Sequence, residues 1–145
     1  YEIGKEFLIW RDTDPIDIGI TIRVVFDCFN GNWFEASKKA HAILDGKSAG
    51  NGSLMRCLPI ALAYTQLEKI EEISVAQSKM THYDDLASEA CVLYNRIAYR
   101  LLMNEELKSS ILAEIKNTRY EENATNKPDC PPDGFVVNSM RWVFY

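Results

Sequence analysis

Helical periodicity over residues 84–102 is the feature that most limits what this chain can fold into. Apolar side chains recur there every three or four positions, at Leu86, Ala90, Leu93, Ile97 and Leu101. That spacing places them along one face of an α-helix. The pattern therefore predicts a long amphipathic helix whose apolar stripe packs against the rest of the chain.

Weaker forms of the same pattern predict helices over residues 17–30, 35–44, 54–66, 71–78 and 106–117, with a last helix opening at Gly134. Segment 54–66 is apolar on almost every side, which predicts burial, and Pro59 should kink it or mark its first turns. In segment 106–117, Leu107, Ile111 and Ile115 are predicted to point inward. No convincing strand pattern or internal repeat is found, so the predicted fold class is all-α, a multi-helix bundle.

Residues 119–133 are polar and contain three prolines, which predicts a loop within the bundle and a candidate hinge or insertion. The chain ends inside an apolar run, Phe135 to Tyr145, and begins with Tyr1 rather than Met. Natural termini are usually polar and frayed. We therefore expect residues 1–145 to be the central part of one domain, truncated at both ends.

The composition is that of a soluble globular protein, with 145 residues, 47% hydrophobic, 26% charged and a net charge of -5. No Lys/Arg cluster is present, which argues against nucleic-acid binding. Neither a signal peptide nor a membrane-spanning apolar run is found, so we expect a cytoplasmic protein. The widely spaced cysteines at positions 28, 57, 91 and 130 are typical of small buried apolar residues in a reducing compartment.

The segment Ser48-Ala49-Gly50-Asn51-Gly52-Ser53-Leu54-Met55-Arg56 allows two interpretations. Glycines let the backbone approach a ligand closely, and a polar turn that leads into a helix leaves N–H groups free to bind an anion. The alternative is an ordinary Asn-Gly turn in which Ser53 only caps the next helix.

Two other polar groups are candidates for chemistry. His82 lies in the junction Thr81-His82-Tyr83-Asp84-Asp85 directly before the long helix, where Thr81 or Asp84 could be the cap. Two acidic clusters, Asp84-Asp85 and Asp12-Thr13-Asp14 with Asp17, have the residue types that bind a hard cation, but the simpler interpretation is an exposed acidic loop with Asp17 as a helix cap. We assign no metal ligand to either.

Four stretches, in this order, together carry a family resemblance. They are Trp10 with Asp14-Pro15-Ile16-Asp17-Ile18-Gly19 and Thr21; Gly50 to Arg56 with Pro59; Thr81-His82 with Glu89-Ala90-Cys91 and Tyr94; and, more weakly, Gly134 to Met140. Their order and spacing resemble the ADP-ribosylglycohydrolase family, across nearly the whole chain.

The resemblance implies an all-α bundle that uses magnesium to hydrolyse a glycosidic bond of ADP-ribose. It places Gly50, Asn51, Gly52 and Ser53 against the ADP-ribose, Met55 and Arg56 behind them, and His82 as a further contact. The family's metal ligands lie in an early Thr-Asp-Asp-Thr motif, an N-terminal Gly-Asp segment and a late Asp-x-Asp-Thr motif. None of these falls at a matching place here, and Asn138 stands where the family often has an acidic residue.

These implications lead to a specific expectation. The full-length parent would be a magnesium-dependent hydrolase acting on an ADP-ribosylated protein or a small molecule containing ADP-ribose. This chain would supply one wall of the substrate site, no catalytic residue and no metal ligand, and would be inactive alone. The rival interpretations are a non-catalytic ADP-ribose-binding or structural homologue, and an unrelated helical interaction domain.

Overall fold

The computed structural model describes residues 2–145 and is all-α, as predicted; Tyr1, where the predicted domain begins, lies outside the described residues. Within this range the chain forms α1 (Glu2–Asp12), α2 (Ile20–Cys28), α3 (Trp33–Ile43), α4 (Pro59–Ala63), α5 (Leu67–Lys79), α6 (Asp85–Leu102), α7 (Leu107–Ile115) and α8 (Val136–Phe144). Two 3₁₀ turns, Leu54–Arg56 and Glu121–Ala124, lie between helices. The β-type pairing in this range is one isolated antiparallel bridge between Gly50 and Phe135.

Helix α6 organises the core because α5, α7, α8 and α4 all pack against it. Of its predicted apolar stripe, Ala90, Leu93 and Ile97 are buried and Leu86 is partly buried, while Leu101 is exposed near the helix end. One apolar cluster joins α6 to α7, α8 and Tyr120, and a second joins it to α4 and α5. The long amphipathic helix predicted from the sequence is therefore confirmed.

A separate cluster joins the first three helices through aromatic rings. Trp33 on α3 lies with its ring centroid 5.5 Å from Phe7 of α1 and 5.9 Å from Phe26 of α2. Trp10 of α1 also packs on Phe26, at 6.2 Å. No helix was predicted from the sequence for residues 2–12, so α1 and its contacts are a finding of the structure.

The prediction of one buried helix over residues 54–66 is wrong. The segment divides into the 3₁₀ turn Leu54–Arg56 and the five-residue helix α4, and Pro59 occupies the first turn of α4 because it has no N–H to donate there. Only Ile60 and Ala61 of α4 are buried, and Leu62 is 64% exposed. A short helix on the bundle surface buries one side only, so its apolar composition was misleading.

Helix starts follow the caps more closely than the apolar pattern. Side chains of Asn32, Asp84 and Glu106 accept hydrogen bonds from the first N–H groups of α3, α6 and α7. Helix α2 begins at Ile20 with Gly19 at its N-cap position, so Asp17 is not the cap. Because α7 starts just after its Glu106 cap, Leu107 lies exposed in the first turn rather than inward.

The proline-containing loop packs onto the last helix. Trp142 Nε1 donates to the Cys130 carbonyl at 2.8 Å, and Tyr120 and Asn123 are buried. All four cysteines are free thiols, with Cys57 and Cys91 buried. Across residues 2–145, no helix has both the length and the apolar character needed to cross a membrane.

Candidate functional site

A cavity of about 930 Å³ lies between α1, α2 and the glycine-rich segment. Its volume is within the range of small-molecule sites, roughly 300–1,000 Å³. The lining combines apolar and aromatic side chains from the first two helices with polar groups from the glycine-rich segment and the residues before α6: Glu6, Phe7, Trp10, Asp17, Gly19, Ile20, Thr21, Ile22, Phe26, Gly50, Asn51, Gly52, Met55, Arg56, Thr81, His82 and Gly134.

The glycine-rich segment is held in place by the start of α8. The backbone N–H of Asn51 donates to the Gly134 carbonyl at 2.9 Å, and Val136 N–H donates to the Ala49 carbonyl at 2.9 Å. The Asn51 side chain adds a bond from Nδ2 to Ser139 Oγ at 3.1 Å. Segments more than eighty residues apart in sequence therefore form one edge of the cavity.

Two glycines let this segment lie directly on the imidazole of His82. A Cβ at position 52 would stand 3.1 Å from His82 Cε1 and 3.2 Å from Nε2, and one at position 50 would stand 3.3 Å from Nε2. These distances are shorter than ordinary side-chain contacts, so a larger residue would push the loop or the ring away. His82 is only 2% exposed but still lines the cavity.

A chain of hydrogen bonds runs from Arg56 through Thr81 to His82. Arg56 Nη2 donates to Thr81 Oγ1 at 2.6 Å, and Thr81 Oγ1 lies 2.8 Å from His82 Nδ1. Arginine can only donate, so the Thr81 oxygen accepts from it; we assign the Thr81 hydroxyl hydrogen to Nδ1, the acceptor that the described residues offer it. The proton of the neutral ring is then on Nε2, the nitrogen beside the two glycines, where it is a donor toward the cavity.

Burial keeps that ring neutral. Loss of hydration, helped by the positive charge of Arg56, lowers the pKa of His82 to about 3. At neutral pH the ring is therefore uncharged.

The positive charge of the site belongs to Arg56. Burial lowers the pKa of its guanidinium to about 10, which still leaves it protonated at neutral pH. Phe7 lies under the guanidinium plane at 4.6 Å from ring centroid to Cζ, while Gln77 and Thr81 accept its hydrogen bonds. Among residues 2–145, no carboxylate lies within 4.0 Å of this guanidinium. Removing an unpaired cation from water costs several kcal/mol of desolvation free energy (~3 kcal/mol or more), and a bound anion would offset that cost.

The source of this charge differs from the expected one. One of the two interpretations of the glycine-rich segment placed an anion at the N-terminus of a following helix, but only the three-residue turn Leu54–Arg56 follows. So short a turn has too few aligned peptide dipoles to attract an anion. A side chain within that turn supplies the charge instead.

The structure brings together six of the seven predicted site residues. Gly50, Asn51, Gly52, Met55, Arg56 and His82 all line the cavity, with Met55 80% exposed at its rim. Ser53 does not: it is fully buried, and its Oγ accepts a hydrogen bond from Ser78 Oγ at 2.9 Å. A ligand contact at Ser53 does not fit this geometry, and neither does the capping role, because Ser53 makes no side-chain cap bond.

Sequence reasoning missed the residues that reach the site from distant segments. Phe7 and Ile22 come from α1 and α2, and Gln77 comes from the far end of α5. No local pattern marks them, because each is an ordinary member of a helix. Thr21 and Thr81 were part of the family resemblance but were not assigned to the site.

The magnesium implied by the resemblance does not fit the residues present. Within residues 2–145, no group of three or more His, Cys, Asp or Glu side chains converges to hold a metal ion. Asp84 instead caps α6, and Asp85 pairs with Lys79 at 2.6 Å. Asp17 and Glu6 line the cavity but lie exposed.

Comparison with known proteins gives the family. No solved structure matches the chain. ADP-ribosyl-[dinitrogen reductase] glycohydrolase of Rhodospirillum rubrum is 31% identical over 111 residues, which are 74% of this chain and 35% of that protein. The chain thus spans about a third of the length of this relative. The family model described as ADP-ribosylglycohydrolase matches residues 2–137. On both comparisons, the chain belongs to the ADP-ribosylglycohydrolase family.

Proposed function

We propose that this chain forms one wall of an ADP-ribose site in a protein that hydrolyses the glycosidic bond between ADP-ribose and a protein side chain or small molecule. The observation that carries the proposal is the pair of unused donors on the cavity floor. Arg56 contributes an unpaired positive charge, and His82 contributes the Nε2–H of a neutral ring. A pyrophosphate joined to ribose hydroxyls is complementary to both.

Each lining group has a distinct function in this proposal. Arg56 attracts the pyrophosphate, while His82 Nε2–H donates to a phosphate or ribose oxygen. Asn51 is turned by its bond to Ser139, so that Nδ2 is occupied and Oδ1 is left to accept from a ribose hydroxyl. The apolar side of the cavity, which includes Phe7, Trp10 and Phe26, excludes water from the polar contacts and so strengthens them.

Magnesium, when bound, would activate water and orient the glycosidic bond. The residues described here do not form its site, so we propose that its ligands lie outside this chain. The chain by itself then binds ADP-ribose without cleaving it.

Calorimetric titration of ADP-ribose into the chain tests the binding step. We expect saturable binding, weakened about tenfold by Asn51→Ala, because the loop loses its bond to Ser139 and about 1.4 kcal/mol of binding free energy. Asn126→Ala is the matched control, since that exposed side chain lies outside the cavity. Absence of binding by the unchanged chain, or equal effects of the two variants, would contradict the proposal.

Release of ADP-ribose from a modified protein separates a hydrolase from a binding homologue. We expect no release by the chain alone with Mg²⁺ added, and release by a longer protein that contains it. Release of ADP-ribose by the chain alone would contradict the proposal that the magnesium ligands lie outside this chain. Binding with no turnover by the longer protein would favour the non-catalytic homologue.

A further inference from the structure

Gln77 is the residue that holds Arg56 in the cavity wall. It lies near the end of α5 and is 4% exposed. Its Oε1 accepts from Arg56 Nε at 3.0 Å, and its backbone carbonyl accepts from Nη2 at 2.9 Å. One residue thus accepts from two nitrogens along one edge of the guanidinium and fixes its orientation.

The opposite end of the same amide holds the glycine-rich segment. Gln77 Nε2 donates to the Ser53 carbonyl at 3.3 Å and lies 3.3 Å from Cys91 Sγ. Arginine only donates and the carbonyl only accepts, so the amide has one orientation that satisfies both neighbours. A carboxylate here would set an oxygen against the Ser53 carbonyl, so both neighbours are suited by a neutral amide.

The neutrality of Gln77 determines how much charge Arg56 offers to a ligand. The groups that hydrogen-bond to the guanidinium or stack on it are uncharged: Gln77, the Thr81 hydroxyl and the Phe7 ring. Within residues 2–145, the structure gives Nη1 no hydrogen-bond partner. The acidic residues of the cavity, Glu6 and Asp17, are exposed and hydrated, and neither pairs with Arg56.

We propose that Gln77 is a positioning residue that sets the charge preference of the site, by orienting Arg56 toward the pyrophosphate of the ligand while leaving its positive charge unneutralised. The inference rests on the proposed function, because it assigns the anionic part of the same ligand. It adds a residue from α5 that does not itself touch the cavity.

Gln77→Glu tests this with a side chain of nearly the same shape. Its carboxylate would pair with Arg56 and cancel the charge, so we expect ADP-ribose to bind at least about tenfold more weakly. Affinity should also become less dependent on NaCl concentration, because fewer ions are exchanged when a neutralised site binds phosphate. Gln66→Glu, at the chain's other glutamine, adds the same charge at an exposed position and should leave both quantities unchanged.

Gln77→Met distinguishes charge from packing. It removes the same amide contacts without adding charge, so its salt dependence should match that of the unchanged chain even if its affinity falls. If Gln77→Glu does not fold, Gln77→Met still decides the question: weaker ADP-ribose binding with the same steep salt dependence as the unchanged chain supports the inference, and unchanged affinity or a flat salt dependence overturns it.

The two proposals fail in different ways. If the unchanged chain binds ADP-ribose and Gln77→Glu binds it equally well with the same salt dependence, the role of Gln77 is wrong and the proposed function stands. If the unchanged chain does not bind ADP-ribose, the proposed function fails, and the inference about Gln77 fails with it.

Discussion

At the scale of single residues, close backbone approach and the numbers of hydrogen-bond donors and acceptors determine which groups form the cavity wall. Gly50 and Gly52 were predicted from sequence as positions of close backbone approach, and the neighbour they approach is the His82 ring. The spacing could not reveal that neighbour, because thirty residues and helix α5 separate the loop from the ring. The position of Ser53 could not be predicted for a related reason: its hydroxyl turns inward to Ser78, a contact that depends on the packing of α5.

The low pKa of His82 predicts a pH dependence of stability. In the folded chain the ring stays neutral down to about pH 3, whereas the unfolded chain binds its proton below about 6.5. The unfolded state thus holds more protons between these values, and stability falls as pH falls through that window, by up to about 1.4 kcal/mol per pH unit. Urea denaturation between pH 4 and 7 measures the slope.

His82→Gln isolates the histidine from the carboxylates that also titrate in acid. Its amide can replace Nε2–H as a donor but cannot titrate, so the variant should lose less stability on acidification than the unchanged chain. If the free energy of unfolding depends on pH with the same slope in both chains, folding does not change the pKa of His82.

At the scale of elements, strongly periodic helices were predictable and weakly periodic ones were not. Helix α6 was predicted to within one residue, because a long stripe and the Asp84 cap agree. Segment 54–66 was misread, since apolar composition does not show which side of a short helix faces the core. Helix α1 was missed because its stability depends on rings of α2 and α3 rather than on its own pattern.

Helix α1 provides a test of this packing at Gly4. A Cβ there would overlap Trp33 Nε1 and stand 2.9 Å from Cδ1, so the indole or the whole helix must shift. We expect Gly4→Ala to lower the free energy of unfolding by about 1–3 kcal/mol, although alanine favours helix. Gly134→Ala, which meets nothing within 4 Å, should have little effect. Equal unfolding midpoints for the two variants would mean that α1 does not dock on Trp33 as described.

At the scale of the whole molecule, the cavity lies between two differently built parts. Helices α4 to α8 pack through two apolar clusters centred on α6, whereas aromatic rings join α1 to α2 and α3. The two parts meet at the cavity, where Arg56 lies on Phe7 and Gly52 lies near Ile22. The all-α class was predictable because it depends on patterns within each helix. The meeting of these parts was not, because it depends on contacts between residues far apart in sequence.

The segment from α1 to α2 also leaves large apolar side chains exposed to solvent. Ile9, Ile16 and Ile20 are all exposed, with Ile20 at the cavity. Exposed apolar surface favours association, so we expect the chain to sediment as larger species with increasing concentration.

Replacing Ile9 and Ile16 by lysine should reduce this association while ADP-ribose binding is retained, because neither residue lines the cavity. Leu112→Lys on α7 adds a charge at another exposed apolar position and should reduce it less. A sedimentation coefficient that does not change with concentration in the unchanged chain would contradict the prediction.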